Sequence, residues 1–356
     1  MMNKSLLILT IASLSFTAFL SGYLISQKDF HRNPDTEYGR GNILDKFNGD
    51  SSGPSPAAYP SGAALLTSRD AVSPVLSKEK DSVIYYEKGT GRVFEVSLKD
   101  RRESSVSDVS LPNLIKTAWS PTRKEVVSLF YNPRGSRYKY FSYRTRASVD
   151  LGQGITSLVF SPDGSQVAYF KNTEPRGIFI SQPDGSSAKI ILPTRLENIQ
   201  LYWPSDDVLS FLTNTNEGSE LYSLSKAGDI RKIIDVSDGL EVKWSHDSSR
   251  VLFSKREGSS VNLYYKDIAS GIETPLNTST SASKCAWGID GKTVVCGVPH
   301  SSASGDEFYE IGLDGSKTLL ASPSTKINTA ELELAGLDDY IVILNDIDSK
   351  LYMLKK

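Results

Sequence analysis

Few residues in this chain have the types and spacing to do chemistry. Gly49-Asp50-Ser51-Ser52-Gly53 fits the pattern in which a serine nucleophile sits on a sharp strand-to-helix elbow of a doubly wound sheet. It lies in a Gly-, Ser- and Pro-rich stretch with no such sheet around it, and is read as linker. Ala286-Trp287-Gly288-Ile289-Asp290-Gly291-Lys292-Thr293 fits a permissive phosphate-loop pattern with Ala for the first glycine. Phosphate binding needs a helix N-terminus after the loop, and comparison with similar stretches elsewhere in the chain makes this one a hairpin. Asn345-Asp346-Ile347-Asp348 resembles a fragment of a calcium loop, but too few oxygen ligands follow. Three histidines (His31, His246 and His300) and two cysteines leave little room for a metal cluster. No catalytic, cofactor-binding or metal-binding residue is assigned.

Two groups carry more. Arg134, Arg137, Lys139, Arg144 and Arg146 alternate with Tyr138, Tyr140 and Tyr143. Basic residues interleaved with aromatics suit single-stranded nucleic acid or another anionic polymer. The chain as a whole carries 40 Lys+Arg against 42 Asp+Glu, which argues against a dedicated nucleic-acid surface. The preferred reading is a solvated strand face with tyrosines packed between strands. For an exported protein the alternative ligand is an anionic envelope glycan. Cys285 and Cys296 flank the hairpin just described. Facing positions on paired strands bring Cα atoms to about 4.5 Å, within disulfide range. A disulfide is expected, and with it an oxidising compartment.

The elements that position these residues repeat. Leu76, Trp119, Phe160, Trp203, Trp244, Trp287 and Leu334 recur 41 to 47 residues apart, most followed by Ser and a Pro, Asp or Gly turn. A period in this range marks a propeller or a solenoid, and no helical periodicity favours the solenoid. In the third copy the strands are 155–160, 166–170, 177–181 and 188–192, joined by Ser161-Pro162-Asp163-Gly164 and Pro183-Asp184-Gly185. Four short antiparallel strands make one propeller blade. The second turn recurs 24 to 27 residues after the anchor in copies three to six. Each anchor ends a first strand and is expected to wedge between adjacent blades. The seventh copy stops after its third strand, near Met353. An unpaired edge there would be exposed, so the segment around Ala63-Ala64-Leu65-Leu66-Thr67 is expected to close the ring. The fold predicted is all-β, a seven-bladed propeller over residues 65–356, with no second copy needed.

Residues 6–25 form an uncharged apolar run between Lys4 and Lys28, long enough to span a bilayer. Leu20-Ser21-Gly22 begins like a lipoprotein box, but Tyr23 stands where the lipidated cysteine would be. The expectation is an uncleaved anchor helix within residues 1–26, with a cleaved signal as the alternative. Residues 27–64 hold no sustained period and read as a flexible tether. The cations after the span (Lys28, Arg32 and Arg40) outnumber those before it and pull toward a cytosolic C-terminal side. The short N-terminal tail and the cysteine pair favour export. The expected location is the cell membrane, with the propeller on the extracytoplasmic side.

Phe160-Ser161-Pro162-Asp163-Gly164, Trp119-Ser120-Pro121, Trp244-Ser245-His246-Asp247 and Trp287-Gly288-Ile289-Asp290-Gly291 resemble the WD-repeat-like propellers of the bacterial TolB type. Such propellers also form the non-catalytic part of prolyl-oligopeptidase-type enzymes. The resemblance covers residues 65–356. Copy two departs from it with Thr122-Arg123 for Asp-Gly, and copy four is shifted. It implies a rigid platform for proteins or peptides, or a gate over a partner enzyme. Together these readings predict a non-catalytic scaffold that binds a protein or an envelope polymer. The alternatives are an accessory propeller of a separately encoded peptidase, and a lyase or hydrolase with its site at the channel mouth.

Overall fold

The computed structural model describes residues 62–107, 109–300 and 305–356. The proposed anchor helix, nearly all of the tether, the serine pattern at 49–53 and His31 lie outside the described residues. Among the described residues no helix is long and apolar enough to cross a membrane.

Among the described residues, twenty-eight strands form seven antiparallel four-stranded sheets. Blades one to six occupy 71–107, 114–150, 155–193, 200–237, 241–279 and 285–321. Blade seven takes three strands from 329–355 and its fourth from Ala64–Leu65, whose residues face Met353 and Tyr352. The amide of Leu66 continues the seam by donating to the Leu351 carbonyl at 2.8 Å. The ring is thus closed by strand pairing between the two ends of the domain, which leaves neither a broken sheet nor a bare edge at that point.

The anchor residues set the packing. Each of the seven apolar clusters joins two neighbouring blades, and each contains or abuts one anchor. Trp203 packs on Ala168, Phe170 and Ile180 of blade three. Leu76 packs on Val342, Leu351 and Met353 of blade seven, so the same contact seals the seam. Trp119 stacks on Tyr143 and tilts against Tyr86 of the preceding blade. Two indoles also bond across the interface. Trp119 Nε1 donates to the Ser73 carbonyl at 3.2 Å, and Trp287 Nε1 to that of Lys243 at 3.0 Å.

The serine after the anchor has its own task. Ser161 Oγ accepts from the Gln166 amide at 3.0 Å and donates to Asp163 Oδ1 at 2.6 Å. Ser245, Arg250 and Asp247 repeat this arrangement at 3.0 and 2.7 Å. These bonds lock the hairpin at the point where the chain reverses. Four residues past the anchor the backbone turns left-handed, and Gly164 and Gly291 suit that conformation. Lys80, Arg123, Ser248 and Asp338 occupy the same place with positive φ, at roughly 1–2 kcal/mol each for a residue with a Cβ. Copy four has a shorter hairpin, in which Ser205 faces Val208 directly, and escapes this requirement.

Cys285 and Cys296 face one another in blade six and form a buried disulfide, with Cα atoms 4.1 Å apart. A second buried linkage joins blades six and seven on the opposite face. Lys284 Nζ donates to both carboxylate oxygens of Asp306 at 3.0 Å and to Asn328 Oδ1 at 2.7 Å. Asp306 also accepts the Thr329 amide at 2.7 Å, so its charge is fully partnered.

Candidate binding site at the axial mouth

In each blade the first strand runs toward one end of the ring, so the first and third turns of every blade open on that face. The first strands of blades one to four touch in succession around the axis, as do those of blades six and seven. Where they end, a cavity of about 330 Å³ is lined by residues of five blades. Blade one contributes Lys78 and Lys80, blade two Arg123, blade five Lys243 and His246, and blade seven Glu333.

The cations are held in place. Arg123 Nε donates to the Leu76 carbonyl at 2.8 Å and Nη1 to that of Ser120 at 3.1 Å. A guanidinium has five N–H groups, so three remain for a ligand. Burial pushes the Arg123 guanidinium below its ordinary value, against the pull of the Glu333 carboxylate. Lys243 Nζ donates to the Leu332 carbonyl at 3.1 Å and lies 4.0 Å from Glu333. Deeper along the axis, Glu331 lies two residues from Glu333 on Thr329–Ala335. Enclosure raises the Glu331 carboxyl above the usual range, Glu333 adds to this, and Lys243 opposes it. At the opening the balance is four permanent cations and His246 against one carboxylate, a combination that favours anions.

The basic character extends outward over blades one and two. Lys78, Lys99, Arg101, Arg102, Lys124, Arg144 and Arg146 are exposed on turns at this end, against the exposed carboxylates of Glu79, Asp81 and Asp100. Bonds from the Leu98 amide to the Asp81 carbonyl and from the Tyr143 amide to that of Lys124, both 2.9 Å, tie the two turns within each of these blades.

The other sequence candidates disperse. The basic–aromatic stretch is divided by the blade: Arg144 and Arg146 reach the mouth face, while Arg134 turns at the other end. Its aromatics serve packing, for Tyr138 and Tyr140 are buried and Tyr143 bonds Tyr86 Oη at 2.8 Å. The phosphate-loop match is a hairpin whose Asp290 Oδ1 accepts the Lys292 and Thr293 amides at 2.8 and 3.0 Å. Around Asn345-Asp346-Ile347-Asp348 the oxygens are spent on the turn, with Asn345 Oδ1 accepting from Asn328 at 2.9 Å and Asp348 Oδ2 from Tyr352 Oη at 2.7 Å. No metal-ligating group of three is found among the described residues. His300 sits 3.4 Å from Glu307 on the far end, whereas His246 joins the mouth. A larger cavity of about 450 Å³ opens between the outer parts of blades five and six. Its Arg250 and Asp267 pair with one another at 3.7 Å.

The fold defines the protein as a seven-bladed β-propeller with four antiparallel strands per blade, the architecture that the sequence resemblance implied. No protein-family model and no curated protein matches the chain. Solved structures do. An oligogalacturonate lyase in complex with manganese superposes with a TM-score of 0.61 at 13% identity, over 82% of this chain and 92% of that one. The propeller domain of the Trilobed protease from Pyrococcus furiosus, described as having an open velcro topology, gives 0.56 at 14% identity, over 84% and 96%. The Cps50 (Swd1) propeller of Myceliophteria thermophila gives 0.58 at 12% identity, over 83% and 99%. At these identities the likeness concerns the fold.

Proposed function

We propose that this chain is a membrane-anchored, extracytoplasmic propeller that binds an acidic macromolecular partner at its axial mouth and performs no catalysis. The observation that carries the reading is the convergence of Lys78, Lys80, Arg123, Lys243 and His246 from three blades on one cavity. Around it, blades one and two extend the positive surface far beyond the cavity, as suits a polymer or a protein segment. The apolar run at 6–25 and the disulfide support an exported, tethered location.

The test is binding of the full-length chain to poly-glutamate and to polygalacturonate, with salt titration. Affinity should fall steeply with salt, and at least tenfold in Lys78→Ser/Lys80→Gly. Lys80 holds a left-handed backbone, so glycine removes the charge while relieving strain, and lost binding cannot be ascribed to unfolding. Absence of binding to both polyanions overturns the reading. Turnover of a glycan or peptide panel overturns its non-catalytic part. Protection of the propeller from protease added to intact cells overturns its location.

A further inference from the structure

The turns of four successive blades form one continuous rim. The Ile289 amide of blade six donates to Asp338 Oδ2 of blade seven at 2.7 Å. The Gly336 amide of blade seven donates to the Lys80 carbonyl of blade one at 2.9 Å. Arg123 of blade two reaches the Leu76 carbonyl of blade one. Along this rim the chemistry changes in order. Blades six and seven present Ile289 and Leu337, 59% and 78% exposed and adjacent through the Ile289–Asp338 bond, with Asp290, Asp338 and Asp339 on the same turns. Blades one and two present Lys78, Lys80, Arg123 and Lys124, with Glu79 and Asp81 interleaved on the turn of blade one. Beyond the rim, the turns of blades three to five carry Asp163, Asp206, Asp207 and Asp247.

We propose that this arc is a docking strip for one extended acidic polypeptide segment of a partner protein, with apolar side chains over blades six and seven and carboxylates over blades one and two. This deepens the reading of the mouth as an anion-binding face and rests on it. Charge complementarity names the acidic end of the ligand. The two bare aliphatic side chains name the other end, because they gain from burial against apolar groups and offer a sugar neither a stacking face nor a hydrogen bond. A flat anionic bilayer fits less well. It would have to meet the whole face, including the aspartates of blades three to five, whereas a strand-like ligand can follow the arc alone.

The experiment measures binding of the full-length chain to two octapeptides and one vesicle preparation. One peptide has two leucines, two glycines and four glutamates; the other has serines for the leucines. The vesicles contain phosphatidylglycerol. The leucine peptide should bind at least tenfold more tightly than the serine peptide. Ile289→Ser/Leu337→Ser should abolish that difference and leave affinity for the serine peptide unchanged, with an unchanged melting temperature as the folding control. Equal affinity for the two peptides overturns the strip and leaves the anion-binding mouth standing. Binding of neither peptide, together with no binding to poly-glutamate or polygalacturonate, removes the mouth reading and the strip with it. Vesicle binding that needs Ile289 and Leu337, without a preference between peptides, reassigns the arc to a membrane surface and overturns the proposal.

Discussion

Replacing Arg69 with Met should loosen the seam of the ring. Arg69 follows the closing strand and reaches into blade one. Its Nε donates to Glu103 Oε1 and its Nη1 to Glu87 Oε1, both at 2.6 Å. The guanidinium also lies 4.2 Å from the centre of the Phe94 ring. The side chain is 39% exposed, and those of Glu87 and Glu103 are 18% and 25% exposed. Exposed ion pairs contribute about 0.2–1 kcal/mol, and an exposed cation–π contact about 0.5–1 kcal/mol. Neither carboxylate is orphaned by the change, since Glu103 keeps Tyr85 and Thr67 and Glu87 keeps Thr90. The expected loss is therefore about 2 kcal/mol, or roughly 4–8 °C in melting temperature at about 2–4 °C per kcal/mol for a domain of this order. Calorimetry measures the melting temperature. Hydrogen exchange at Leu66 and Ala71, whose amides bond across the seam to Leu351 and Ser349, reports whether the loss is local. A shift below about 1 °C, with unchanged exchange at both amides, would refute the view that this cluster fastens the ring.

Two further outcomes follow from the geometry. Cys285→Ala/Cys296→Ala removes a link between residues 11 apart and should cost roughly 3 kcal/mol in the chain-entropy model; a urea midpoint equal to that of the parent chain would contradict it. Acid should weaken the fold through the hairpin aspartates. Hydrogen bonds from Ser161 and Ser245 first, and then from the Ser165 and Ser249 amides, lower Asp163 and Asp247 from 3.8 to about 2. The unfolded chain binds protons first, so this contribution is complete above about 3.8 and is lost as pH falls toward about 2. In Asp163→Asn/Asp247→Asn the urea midpoint should fall less steeply over that window; an identical slope would sink the assignment.

Much of the architecture was legible because it is local and periodic. The anchor, its serine and the hairpin bonds lie within a few residues of each other, so their pattern survives in a linear reading. The facing of Cys285 and Cys296 follows from one hairpin register. The mouth was harder to see. Arg123 enters the linear reading only as a departure from the turn Gly, and His246 only as one of three scattered histidines; Lys78, Lys80 and Lys243 belong to no motif. A signal existed in one column: four residues past the anchors, the first two copies carry Lys80 and Arg123 where the others carry Gly, Ser or Asp. Its meaning depends on which copies become neighbours.

The sequence by itself determined the repeat, the number of blades and the hairpin chemistry, because each is fixed by contacts within about forty residues. Only the tertiary structure decided what the blades do together. Closing the ring sets blade seven beside blade one, and so joins Ile289 and Leu337 to the cations of blades one and two along a single rim. It also divides the basic–aromatic stretch that looked continuous in the chain, because successive turns of one blade open on opposite faces. Residues far apart in sequence meet at the axis for a simple reason: every first strand ends there.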